Sequence, residues 1–186
     1  MNFDEKEIVK LLRLLNHDYL NHFQVMSGYL QLGRSQEALA HLKEIVNVFS
    51  SRHNLLRWIC PATVLLVLLW QQRFFEDEKK LVVQSNTDLR GIALSEEQLN
   101  NLLDSLFNTL YLAGNEEAGD SWLLKVEDGG QEHIFAIEYL GETRPECDWS
   151  RVQCQAEEMG CRLEKGDDNC YRRLVLPKGI SWLVAE

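Results

Sequence analysis

Apolar residues at the start of the chain recur at alternating steps of four and three: Ile8, Leu12, Leu15, Tyr19, His22, Met26 and Tyr29. That alternation is the seam of a helix packed along one side, and it predicts one long helix over residues 2–32. Gly33 is placed to end it in the left-handed conformation, and Ser35 to cap the next helix. The second helix, residues 36–57, repeats the pattern with Leu39, Leu42, Ile45, Val46, Phe49 and Leu56. Two long helices on so short a link form an antiparallel hairpin. A lone hairpin leaves apolar surface bare, so the expectation is a homodimer in which two hairpins close a four-helix bundle.

The pattern changes at Pro61, a residue suited to the first position of a helix. Residues 62–77 read as a buried helix and 81–85 as a short strand. Ser95, with Glu97 and Gln98 close behind, is placed to cap a helix running to Ala113. Residues 122–127 and 134–139 alternate as strands around the turn Asp128-Gly129-Gly130. A helix over 150–159 stops at Gly160, and strands at 161–165 and 171–176 flank a turn at 166–169. The fold class expected is therefore a helical hairpin, residues 1–58, followed by a two-layer α/β domain, residues 59–186, with helices on one face of a mixed sheet.

Composition narrows the partners. A formal net charge of −10 over 186 residues disfavours nucleic acid, which is bound by neutralising phosphates with Lys and Arg, and it disfavours an anionic membrane surface. The charged N-terminus lacks the apolar core of a signal peptide. The longest apolar run, residues 62–70, is far short of the roughly 20 residues needed to span a bilayer. A cytoplasmic location is expected. The five cysteines (Cys60, Cys147, Cys154, Cys161 and Cys170) show no zinc spacing and are read as free thiols.

The candidate chemistry lies off the apolar seam of the first helix. His17, Asn21, Gln24 and Gly28 follow at steps of four, three and four, so they line one face. His17 stands about 200° around the helix from both Leu15 and Tyr19, so it points to solvent while the seam closes behind it. An exposed neutral imidazole can attack phosphorus. Asp18 can orient it, Asn21 can hydrogen-bond to it or to a partner, and Gly28 leaves a bare patch for another backbone. His22 falls in the seam and reads as a packing residue, His41 and His53 fall on the second helix without polar company, and His133 sits at a strand start after a Gly-Gly turn; none of these is given a role.

Residues 16–32, NHDYLNHFQVMSGYLQL, resemble the phosphoacceptor segment of the sporulation initiation phosphotransferase B family and the related citrate- and malate-type sensor kinases. That segment has a His-Asp pair, Asn four residues after the His, Gln three further on, then Gly before an apolar run. The resemblance implies that His17 is the phosphoryl carrier, with Asp18, Leu20, Asn21, Gln24 and Gly28 on the docking face.

The C-terminal region resembles the ATP-binding domain of histidine kinases, from the Pro61-Ala62-Thr63-Val64-Leu65-Leu66 segment to the closing hairpin in MGCRLEKGDDNCYRRLVLP. Its nucleotide positions depart from that pattern. On residues 100–113, NNLLDSLFNTLYLA, the magnesium-binding Asn becomes Thr109, with Asn108 one residue out of place. In IEYLGET, residues 137–143, Tyr139 stands for the adenine-reading Asp and Thr143 for a glycine, with only Gly141 kept. The chain leaves no room for a lid.

The resemblance thus implies a histidine phosphotransferase of the sporulation phosphorelay. It would move phosphoryl groups between response-regulator receiver domains without ATP or a metal of its own, the receiver supplying Mg²⁺. Two other readings stay open: a non-catalytic dimeric regulator-binding module, and a fragment of a true sensor kinase.

Overall fold

The computed structural model describes residues 5–113, 121–141, 145–166 and 171–179. The chain divides into two compact units, Met1–His53 and Asn54–Glu186.

The first unit is the hairpin of α1, Glu5–Gln31, and α2, Ser35–Leu56, whose last turn falls in the second unit. The link follows from Gly33, whose φ of 70° costs a glycine little. That conformation lets Arg34 N–H donate to the Tyr29 carbonyl at 2.8 Å and Gly33 N–H to the Leu30 carbonyl at 3.0 Å, satisfying carbonyls that a helix end leaves bare. Ser35 is not the cap expected of it but the first residue of α2. Arg34 takes the cap position, its carbonyl accepting from Ala38 N–H at 3.1 Å and its guanidinium donating to Glu37 at 2.9 Å.

The two helices close on Leu11, Ala38 and Ile45, all buried, and on an edge-to-face pair of Tyr19 and Phe49 with ring centroids 5.0 Å apart. The seam expected from periodicity is only partly covered. Leu12 on α1 and Leu39, Leu42 and Val46 on α2 remain exposed, as do Phe23 and Leu30 of α1. Leu12, Phe23 and Leu30 are separated by 11 and 7 residues, close to whole turns, so they form one row beside the hairpin contact.

The second unit contains α3, Pro61–Glu76; β1, Lys80–Ser85; α4, Glu96–Ala113; β2, Ser121–Asp128; β3, Glu132–Tyr139; α5, Ser150–Glu158; β4, Arg162–Lys165; and β5, Arg172–Pro177. The strands lie in the order β1-β2-β3-β5-β4. β1 runs parallel to β2, and the remaining pairs are antiparallel. Period-two alternation turns Trp122, Leu124 and Val126 of β2, Phe135 and Ile137 of β3, and Leu174 and Leu176 of β5 into the core. Val67 and Phe74 of α3 and Leu99, Leu102, Leu103, Leu106, Phe107 and Leu110 of α4 supply its helical side, all fully buried or nearly so. The expected fold class is the one observed.

Local devices set the element ends. Pro61 opens α3 at its first turn. Ser95 Oγ accepts from Gln98 N–H at 3.2 Å while Gln98 Oε1 accepts from Ser95 N–H at 3.0 Å, a reciprocal capping box before α4. Gly130 turns at a φ of 86° with its N–H on Asp128 Oδ1 at 2.8 Å, and Gly160 ends α5 at a φ of 70°.

Trp58 crosses to the sheet, its indole Nε1–H donating to Ser85 Oγ at 2.9 Å in a buried site, and Ser85 Oγ–H donates on to the Thr87 carbonyl at 2.8 Å. Replacing Ser85 with Ala leaves the buried indole donor unpaired, which costs about 1–3 kcal/mol. Urea unfolding of the two proteins should show a lower midpoint for Ser85→Ala at an unchanged slope.

Candidate functional site

The polar stripe of α1 forms as its spacing requires. His17, Asn21 and Gln24 are exposed, and Gly28 follows half-buried with open space where a side chain would start. The Asn21 side-chain amide lies 3.1 Å from His17 Nδ1. The helix makes this contact, since residues four apart sit one above the other. The contact governs the ring's chemistry. With the amide nitrogen donating, Nδ1 holds the lone pair and Nε2 the proton. With the amide turned over, its oxygen accepts from Nδ1–H and Nε2 presents its lone pair to solvent. The tautomer of His17 is thus linked to the orientation of the Asn21 amide: the nitrogen faces Nδ1 here, and the turned-over amide is the one that makes Nε2 a nucleophile.

The neighbours frame this ring. Asp18 is half-exposed on the flank nearer α2, where Arg52 reaches it at 3.9 Å, a pair that sequence spacing did not reveal. That separation in an exposed setting makes a weak tether. Leu20 is exposed and lies between the His17 stripe and the row of Leu12, Phe23 and Leu30, about 60° from either.

One histidine requires correction. His41, read from sequence as lacking polar company, faces His22 across the hairpin, with His22 Nδ1 3.4 Å from His41 Nε2. Its other nitrogen, Nδ1, lies 3.7 Å from Glu44 Oε2. His133 lies at the start of β3, as expected, and is fully buried. Its Nε2 lies 3.1 Å from the Arg90 carbonyl, which can only accept, so Nε2 carries the proton and the buried Nδ1 is unpartnered. Burial depresses its pKa, which keeps the ring neutral. Its inward position follows from the alternation with Phe135 and Ile137, a signal present in the sequence.

Among the described cysteines, Cys60, Cys147, Cys154 and Cys161 are free thiols; Cys170 lies outside the described residues. Burial raises the thiol of Cys60, of Cys147 and of Cys161, the last to about 11, and the Glu158 carboxylate raises that of Cys154. All four are thus held in the weakly nucleophilic thiol form. No group of three or more His, Cys, Asp or Glu suited to a metal occurs among the described residues.

In the second unit, Thr109 and Asn108 are partly exposed on α4. Tyr139 ends β3 beside Trp122, with ring centroids 4.9 Å apart. Trp122 meets Tyr171 at 5.7 Å, Tyr171 meets Trp149 at 5.7 Å, and the Arg172 guanidinium lies 5.6 Å from the Trp149 ring centre. Tyr171 O–H donates to the Pro145 carbonyl at 2.5 Å. A continuous aromatic cluster therefore occupies the end of the sheet where the sequence places the degenerate adenine position. Thr143 lies outside the described residues. The cluster was not visible in the sequence, because its members come from four separate segments.

No helix among the described residues is long and apolar enough to cross a membrane. No curated protein sequence matches the chain. Among solved structures it is similar to histidine kinase ThkA, determined in complex with the response regulator protein TrrA. The likeness is at 10% identity and a TM-score of 0.50, over 91% of this chain and 61% of that one. The histidine kinase AdeS of Acinetobacter baumannii is similar at 12% identity and a TM-score of 0.49, over 88% of this chain and 98% of AdeS. Residues 2–58 match the sensor-kinase SpoOB-type α-helical domain. The helical segment with His17 thus matches the SpoOB-type sensor-kinase domain, and the chain is similar in fold to a histidine kinase.

Proposed function

We propose that this chain is a phosphoryl-transfer module of two-component signalling. In this reading His17 accepts a phosphoryl group from the aspartyl phosphate of one response-regulator receiver domain and gives it to the aspartate of another. The observation that carries the reading is the exposed His17 ring with the Asn21 amide on its Nδ1. With the Asn21 oxygen accepting from Nδ1–H, the Nε2 lone pair attacks phosphorus. The N–P bond forms, the P–O bond to the receiver breaks, and the aspartate carboxylate leaves with its electron pair. The Asn21 oxygen then supports the charge the ring acquires on Nδ1–H. Asp18, Leu20, Gln24 and Gly28 line the face a receiver would meet, and the receiver would bring the Mg²⁺ that neutralises the phosphoryl oxygens. The ThkA structure, solved with a response regulator, is a precedent for such docking. The match to the SpoOB-type domain makes a sporulation relay the natural setting.

Two further features belong to this reading. The exposed row of Leu12, Phe23 and Leu30, with Leu39, Leu42 and Val46 of α2, supports pairing with a second copy, since hairpins of this kind close as four-helix bundles. The aromatic cluster around Trp122 and Tyr139 supports phosphoryl transfer without ATP, because it puts rings where a nucleotide would need an acid and open backbone. A sensor-kinase fragment is the second reading, and the kinase fold favours it. Titration with Mg-ATP separates them: no heat of binding is expected at micromolar concentrations, and micromolar affinity would favour the kinase.

His17→Gln should abolish uptake of label from a phosphorylated receiver domain. As an exposed substitution it should shift stability by within about 0.5 kcal/mol; a variant that still accepts label would place the site elsewhere. Asn21→Ala should slow uptake without blocking it and redistribute the His17 tautomers, read from the ring nitrogen shifts in long-range ¹H–¹⁵N NMR spectra. Phe23→Glu should convert a dimer to a monomer in light scattering at micromolar concentration, by burying an unpaired charge in the expected interface.

A further inference from the structure

The contact between His22 and His41 is long for a hydrogen bond and has the dimensions of a shared metal ion. An N–H···O hydrogen bond normally spans about 2.7–3.2 Å, and His22 Nδ1 and His41 Nε2 are 3.4 Å apart. Two imidazoles on one tetrahedral zinc, each bonded at about 2.05 Å, hold their nitrogens about 3.3 Å apart and their ring centres about 5.2 Å apart. The ring centres of His22 and His41 are 5.3 Å apart, with the planes inclined at 52°.

A second observation concerns His41 alone. Ligating histidines commonly present their other ring nitrogen to a carboxylate, which fixes the tautomer and turns the ring toward the metal. The nitrogen of His41 that faces away from His22 is Nδ1, and it lies 3.7 Å from Glu44 Oε2. At 3.7 Å the carboxylate is beyond direct hydrogen-bond distance, but its charge favours the proton on Nδ1, the tautomer that directs the Nε2 lone pair at His22.

We propose that His22 Nδ1 and His41 Nε2 form a two-histidine site for a borderline divalent cation of the zinc class, with Glu44 as the orienting residue. Two protein ligands leave positions for water, and both rings are only half-buried, so the ion has a route in. The cation would tie α1 to α2 near the middle of the hairpin. His22 lies five residues beyond His17 and about 140° around the helix, so the site is separate from the phosphoryl stripe and does not rest on the function proposed for it.

The probe is Zn²⁺ alone, titrated into the metal-free full-length chain at neutral pH. Calorimetry should show about one ion per chain, and ¹H–¹⁵N spectra should show the His22 Nδ1 and His41 Nε2 resonances moving together. His22→Gln and His41→Gln should each lower the affinity by at least about tenfold, the scale on which outer-shell partners alone act, and Glu44→Gln by about tenfold. The double variant should be no weaker than either single one, because either loss dismantles the pair. His17→Gln should leave binding unchanged. The spectra of the wild-type chain keep the test valid should a variant fold poorly. The proposal is overturned if Zn²⁺ moves only the His17 or His53 resonances, if a folded double variant binds as well as the wild type, or if no binding occurs below millimolar Zn²⁺.

Discussion

The organisation of the hairpin depends on dividing the circumference of one helix into three sectors. At 3.6 residues per turn a helix can give separate stripes to separate tasks. On α1 the sector of Leu11, Leu15, His22 and Tyr29 closes against α2, the next carries Leu12, Phe23 and Leu30 bare, and the third carries His17, Asn21, Gln24 and Gly28. Each stripe is held by the rigidity of the same 27-residue helix. A reactive ring can therefore stand in solvent and still keep a defined rotamer. Its positioning partner is one turn away on the same backbone rather than on a loop that must be ordered separately.

The second unit shows how a fold can persist while the reasons for its residues change. A side chain begun at Gly141 would meet the Tyr139 ring at 2.5 Å. A side chain there would have to displace the Tyr139 ring, whose tip lies beside the backbone. In the resembling kinase pattern the glycines of this loop admit a nucleotide, and here the same residue type admits Tyr139. The ring in turn extends the stack of Trp122, Tyr171 and Trp149. Apolar area and ring-edge contacts stabilise this end of the sheet, and they need no ligand to do so.

What was legible in the sequence is what repeats along one element. The ten helices and strands among the described residues follow from periodicity, from Gly33, Gly130 and Gly160 at positive φ, and from Pro61 and the Ser95–Gln98 box. The His17–Asn21 contact is also local, because four residues bring side chains together on any helix. The features missed are those that depend on register between elements. His22 meets His41 across 19 residues and Asp18 meets Arg52 across the same hairpin. Hydrophobic spacing shows which faces meet, yet not which residue opposes which. The aromatic cluster joins positions from β2, β3 and the segments around α5 and β5, a conjunction no single window contains. Ser35 misled because its side chain favours a cap in general, whereas the Gly33 turn had already committed Arg34 to that position.

The same division decides which nucleophile the molecule can offer a partner. Cys60 and Cys161 are buried and all four described thiols have raised pKa values, so they stay largely protonated at neutral pH. His133 is sealed in the core, and His22 and His41 face one another inside the hairpin. His53 is exposed in the last turn of α2, but among the described residues no side-chain group holds either of its ring nitrogens. His17 combines exposure with a side-chain partner, Asn21, on one ring nitrogen, and the other nitrogen is open to solvent. Those are the two conditions that the proposed phosphoryl transfer asks of its histidine.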